Sequence, residues 1–146
     1  MKHIQSSRGF TLLEMLIVLS VVSIILLFSI FTYRSFSDML EKKTFITQLE
    51  ADLYYAHAYA LSRRDKVQIQ FSSIKKEYKV TDVQSGEIVL ERRIPSTIYI
   101  QKSNLNSFVI NSDGNVSNFG TIIFQQHQRT IKLTFYIGKG RFRIEE

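Results

Sequence analysis

Hydrophobic positions in this chain form a continuous apolar block, then a helical stripe, then a strict alternation. The block covers residues 10–31 and holds one charged side chain, Glu14. Beyond it, Ile46, Leu49, Leu53, Ala56 and Ala60 recur at steps of three and four, the stripe of an amphipathic helix. Glu41, Lys42, Lys43, Glu50 and Asp52 lie off the stripe, which assigns them to solvent. No proline or glycine interrupts residues 10–64, so the pattern predicts one long helix ending near Ser62-Arg63-Arg64-Asp65. The alternative is two helices hinged at residues 33–38, where polar and aromatic side chains mix.

From Val67 the period shortens to two, as in half-buried strands. Val67, Ile69 and Phe71 face one way, Gln68 and Gln70 the other. Tyr78, Val80 and Asp82 alternate with Lys79, Thr81 and Val83. Gln84-Ser85-Gly86-Glu87 then turns into a strand at 88–92, making a hairpin. Pro95, the only proline, ends that strand or marks an edge. Further strands are expected at 97–101, 107–110, 121–124, 132–137 and 141–144. Asn111-Ser112-Asp113-Gly114-Asn115 forms a turn cluster between them. The order predicts an α+β fold: a long N-terminal helix packed on a small antiparallel β-rich domain. A length of 146 residues leaves room for one such domain and an apolar anchor.

The apolar block has the length of a membrane span. Its 22 residues rise about 33 Å as a helix, against roughly 30 Å of bilayer hydrocarbon. A secretory signal has an apolar region of about 7–15 residues and a small-residue cleavage site. Here the region is longer, and the one candidate site, Ser35-Phe36-Ser37, follows Arg34. Lys2 and Arg8 favour a cytoplasmic N-terminus, although Arg34, Lys42 and Lys43 on the far side weaken the asymmetry. Glu14 is the anomaly. A charged side chain costs roughly 2.5–3.5 kcal/mol at the centre of a membrane helix, less near its end. Either it reaches back toward headgroups, or a cation pairs with it.

Arg8-Gly9-Phe10-Thr11-Leu12-Leu13-Glu14-Met15-Leu16 resembles the processing site of the type IV pilin and pseudopilin family. The resemblance implies that a prepilin peptidase cuts between Gly9 and Phe10 and that the new amino terminus, on Phe10, is then methylated. It also implies that Glu14 of an entering subunit meets the Phe10 amine of one already assembled, setting axial register in a filament. Residues 1–9 are then a leader, 10–31 a transmembrane and filament-core helix, 32–64 its amphipathic continuation, and 65–146 a β-rich globular domain. The implied partners are other pilins and pseudopilins of the same filament, the prepilin peptidase, an assembly ATPase with its membrane platform protein, and the cytoplasmic membrane. The implied location is a single pass through that membrane, N-terminus inside, and then a pilus at the cell surface. Many family members carry a helix-kinking proline in the apolar segment; this chain has none there.

The tail carries a second resemblance. Phe108-x-Ile110-x-x-x-Asp113-Gly114, Gly120-Thr121-Ile122-x-Phe124 and Gly138-Lys139-Gly140-Arg141 look like the C-terminal domain of GspH-type minor pseudopilins, above all those of Gram-positive DNA-uptake machinery. This implies a minor pseudopilin of a competence apparatus, required for transformation. Within the family the alternative is a type II secretion pseudopilin. Outside it, the alternative is a single-span anchored module that binds DNA or wall polymer.

Charge and composition add limits. The formal net charge is +6 and becomes +4 without Lys2 and Arg8, which suits an anionic envelope or DNA. Arg63, Arg64, Lys75, Lys76, Arg92, Arg93, Lys139, Arg141 and Arg143 are candidates for a DNA-facing patch, with Tyr78, Tyr136 and Phe142 interleaved. The competing reading is a solvated charged face over an aromatic core. Cysteine is absent, which removes disulfides, thiol nucleophiles and thiolate metal sites. His3, His57 and His127 have no metal-binding spacing, and no G-x-S-x-G elbow occurs. Gly138-Lys139-Gly140-Arg141 lacks the strand and helix of a phosphate-binding loop and reads as a hairpin turn. The sequence therefore predicts no catalytic residue, cofactor or metal.

Overall fold

The computed structural model describes residues 11–136 and 140–146, with residues 30–35 described in their backbone alone. Helix α1 runs over Leu12–Arg63, as the absence of proline and glycine predicts. Arg64 ends it in the left-handed conformation, with φ of 54°. The Asp65 N–H donates to the Ala60 carbonyl at 3.2 Å, the six-to-one bond that closes a helix through a residue in that conformation.

Internal contacts divide the chain into two units, Met1–Met39 and Leu40–Glu146. In the first, side chains 11–29 are all exposed, and Leu12–Ser29 is long and apolar enough to cross a membrane. The hydroxyls of Ser23 and Ser29 donate to the carbonyls of Leu19 and Ile25 at 2.7 and 3.0 Å. Bonding back to the preceding turn satisfies those groups inside the helix, as an apolar solvent requires.

Among the described residues, the second unit adds eight strands to the rest of α1. They are β1 (Val67–Ser72), β2 (Glu77–Asp82), β3 (Ile88–Arg93), β4 (Tyr99–Ser103), β5 (Ser107–Ile110), β6 (Gly120–Gln126), β7 (Arg129–Phe135) and β8 (Phe142–Glu145). Two four-stranded sheets result, ordered β3-β2-β1-β5 and β4-β6-β7-β8, with every pairing antiparallel. Pro95 follows the end of β3, an edge strand, where its missing N–H disrupts no ladder. Residues 95–98 make a turn (Ile98 N–H to the Pro95 carbonyl, 3.0 Å), so β4 begins at Tyr99 rather than residue 97. The β6–β7 reversal is a turn at His127-Gln128 with His127 at φ 52°.

One core joins these elements. Phe45 and the expected stripe of Ile46, Leu49, Leu53, Ala56 and Ala60 are buried with the inward residues of both sheets. Phe124 of β6 is the junction, its ring 5.3 Å from Phe45 and 6.0 Å from Phe71. Aromatic pairs at such distances add about 0.5–1.5 kcal/mol beyond area burial.

Two residues depart from the expected pattern. Lys42 and Asp52, assigned to solvent by the stripe, are 7% and 5% exposed. Each is buried because a distant partner satisfies it. Lys42 Nζ pairs with Glu146 at 2.9 Å. Asp52 accepts from Tyr78 Oη at 2.7 Å, from Gln48 Nε2 at 2.8 Å and from Arg92 Nε at 3.3 Å. Burial pushes the Tyr78 phenol far above its usual range, and the bond to Asp52 pushes it further, so Tyr78 stays a donor. Asp82 anchors the β2–β3 hairpin, its Oδ1 accepting the N–H groups of Gln84 and Ser85, both at 2.9 Å. These backbone donors, Ser85 first, hold its carboxyl below the ordinary 3.8.

Asp52→Ala leaves the Tyr78 hydroxyl buried without an acceptor, a loss of about 1–3 kcal/mol. Thermal unfolding of the full chain in detergent should show that loss, and Tyr78→Phe should add little to it in the same molecule. Additive effects would mean the pair is not coupled. For Asp82 the folded value is depressed, so its charge stabilises above 3.8 and that contribution disappears as pH falls through the depressed folded value. The stability gap between wild type and Asp82→Asn should therefore be open at neutral pH and close in acid. A gap independent of pH would show that the charge contributes nothing.

Candidate functional site

The first candidate site is the start of α1. Thr11 caps the helix: its Oγ1 accepts the Glu14 N–H at 3.3 Å, and its carbonyl accepts the Met15 N–H at 3.2 Å. Thr11-Leu12-Leu13-Glu14 thus has the spacing of a capping box, a sequence signal beyond the lone charge. Glu14 lies in the first turn, where a carboxylate opposes the positive end of the helix dipole. It is exposed, as are the apolar side chains around it. A carboxylate there is acceptor-only and can hold one cation. Gly9 and Phe10, the expected cleavage site, lie outside the described residues.

The basic candidates fall into separate groups. Arg63 and Arg64 sit at the end of α1, where the Arg63 guanidinium lies 5.6 Å from the Tyr59 ring centroid. Lys75 and Lys76 form the β1–β2 turn, and Arg93 stands opposite Glu77 on the neighbouring strand. Arg92 is committed to Asp52. Arg141 and Arg143 line a cavity, and Arg143 Nε is 3.2 Å from Glu145. Lys139 lies outside the described residues.

That cavity, of about 1050 Å³, is lined by Tyr54, Phe119, Tyr136 and Phe142 together with the two arginines. In its lining, His57 packs against two glycines. Its Nε2 is 3.1 Å from the Gly114 carbonyl, so that nitrogen carries the proton and donates. Both glycines have positive φ, 80° at Gly114 and 60° at Gly140. A Cβ at Gly114 would stand 2.7 Å from His57 Nε2, and one at Gly140 would stand 2.6 Å from the same atom. Neither the cavity nor the His57 contact was visible in the pattern of the chain, because both join segments far apart in it. No group of His, Asp or Glu suited to a metal occurs among the described residues.

Gly140→Ala should lower the thermal midpoint through both the clash with His57 and a φ cost of about 1–2 kcal/mol. Adding His57→Ala should recover part of the loss by removing the clash. If the double variant is no more stable than Gly140→Ala, the ring is not what requires a glycine.

Residues 4–30 match the family model described as "Prokaryotic N-terminal methylation motif". Over 143 residues the chain is 31% identical to Competence protein ComGD of Bacillus subtilis (strain 168), covering 97% of this chain and 96% of that protein. Its fold is similar to two crystal forms of the type IV minor pilin FimU of Pseudomonas aeruginosa PAO1, each with a TM-score of 0.58. Identity there is 19% and 20%; the match covers 71% of this chain and 87% and 92% of FimU.

Proposed function

The chain belongs to the type IV pilin and pseudopilin family as a structural protein with an N-terminal membrane-spanning helix, and we propose that it is a minor pseudopilin of a DNA-uptake pilus. It is made with residues 1–9 as a leader. A prepilin peptidase cuts between Gly9 and Phe10, and the new amine on Phe10 is methylated. An assembly ATPase and its platform protein then move the subunit from the cytoplasmic membrane into a filament at the cell surface, among other pilins and pseudopilins. The match to the methylation motif supports the processing step. The likeness to a protein named for competence supports the role in transformation.

The observation that carries this reading is the exposed apolar helix with one carboxylate in its first turn. Cutting after Gly9 creates a cation four residues before Glu14, the spacing of neighbours on one helix face. In a lipid or helix-packed setting each charge alone is costly, and an opposite charge offsets that cost only when geometry brings the two together. A neighbouring subunit entering in the correct axial register supplies that geometry. The pair therefore selects register, while lateral packing of the apolar side chains holds the helices together.

Co-expression with a prepilin peptidase, followed by mass analysis of the amino terminus, tests the first step. The expected product begins at methylated Phe10; retention of residues 1–9 overturns the reading. Glu14→Gln should be cleaved normally yet be depleted from sheared filaments by about tenfold or more, which corresponds to about 1.4 kcal/mol. Cells carrying that variant should lose transformation while still secreting folded proteins. Normal incorporation would remove the pairing mechanism.

A further inference from the structure

Several chain reversals meet at the end of the second unit where α1 enters it. Thr97 Oγ1 donates to Glu41 at 2.7 Å, and Gln126 Nε2 donates to Thr97 Oγ1 at 3.1 Å. Lys42 holds Glu146. Lys76 Nζ reaches the Ser96 carbonyl at 3.4 Å, and the Ile94 N–H donates to the Lys76 carbonyl at 2.7 Å. These bonds gather the β1–β2 turn, residues 94–98, the β6–β7 turn and Glu146 around Glu41 and Lys42.

The surface so formed is unbalanced in charge. Lys75, Lys76, Arg93 and Arg129 are exposed. Two carboxylates here are paired with cations, Glu146 with Lys42 and Glu77 with Lys79 at 3.3 Å, while Glu41 accepts from Thr97 and keeps its charge. At the tip of the β1–β2 turn stands Ile74, 97% exposed, more than any other large apolar side chain among the described residues. An isolated exposed apolar residue is ordinary. One held at the apex of a turn and followed by two lysines is suited to an interface between apolar and anionic layers, because lysine stems lie along apolar surface while their ammonium groups stay in the polar layer.

We infer that this end of the domain docks on an anionic lipid bilayer, with Ile74 entering the boundary between headgroups and acyl chains and Lys75, Lys76, Arg93 and Arg129 meeting lipid phosphates. Charge complementarity favours lipid, since cations near an anionic leaflet are attracted within a Debye length. So does the tether. Ten residues, 30–39, join the apolar span to Leu40 and reach at most about 35 Å even fully extended. The inference rests on the membrane-anchored state proposed above. Its consequence is that an unassembled subunit holds its domain against the bilayer and must release this contact to enter a filament.

The chain contains no tryptophan, so Ile74→Trp makes a single fluorescent probe in the full-length protein. Reconstituted in phosphatidylglycerol-containing vesicles, its emission should shift to the blue and be quenched by lipids brominated in the acyl chain. Phosphatidylcholine vesicles, salt near about 0.5 M, or added Lys75→Gln and Lys76→Gln should each abolish the shift. Ser112→Trp, in the turn beside Gly114, should stay water-like in both vesicles. Water-like emission from Ile74→Trp in anionic vesicles overturns the inference. Equal quenching in neutral vesicles, or quenching of Ser112→Trp as well, overturns it too. A response to duplex DNA but not to vesicles would assign the surface to nucleic acid and also overturn it. None of these readouts depends on leader removal or filament entry, so failure here leaves the pseudopilin reading to its own test.

Discussion

Helix α1 has to satisfy two solvents with one backbone. Along Leu12–Ser29 it is apolar on every side except at Glu14, as a segment without water must be, and its backbone groups are bonded within the helix. From Phe45 to Ala60 it is apolar on one stripe and polar elsewhere, as a wall of a water-exposed domain must be. A glycine or proline in either stretch would weaken the helix, and the sequence has neither. The helix stops only where Arg64 adopts a left-handed conformation and the chain turns into β1.

The stripe that packs on the sheets is smooth near its end. Ala56 and Ala60 allow close approach but offer little shape to fix how far the helix slides along its axis. Direction comes instead from polar groups at the edges of the stripe. Glu41 is bonded to Thr97, Lys42 to Glu146, and Asp52 to Tyr78 and Arg92. A shift of one turn, about 5.4 Å, would break all of these and leave buried charges without partners. That penalty is large even where the intact pair adds little net stability. Apolar burial thus holds the helix against the sheets, and the polar contacts select its position.

The same contacts mark the limit of what the sequence reveals. The long helix, the inward residues of β1 and β2, and the turns at Gly86 and Gly114 follow from period and turn chemistry, which are local. Lys42 and Asp52 read as solvent-facing because their type and place beside the stripe say so; their partners stand 104 and 26 residues away. The β6–β7 turn is hidden for another reason. His127 fills a left-handed position that glycine or asparagine would advertise, and histidine does so less often. Among the site candidates, Glu14 is legible because a single charge in an apolar block needs no tertiary contact to stand out. The basic residues are legible only by type, and Arg92 shows why that is insufficient: its role comes from an aspartate 40 residues earlier.

Glu14 and Asp52 make the contrast concrete. Both are carboxylates on α1 amid apolar residues. Asp52 draws donors from Gln48, Tyr78 and Arg92, so folding of one chain meets its need. At Glu14 the helix-capping bond involves its backbone N–H, not its carboxylate, which stays exposed. In water that exposure is harmless; in lipid or among packed helices it is a demand for a cation. A carboxylate whose demand is met within the chain stabilises a fold. One whose demand arises only after the helix leaves water is suited to govern assembly, because it discriminates between arrangements that apolar contacts alone would leave nearly equal in energy.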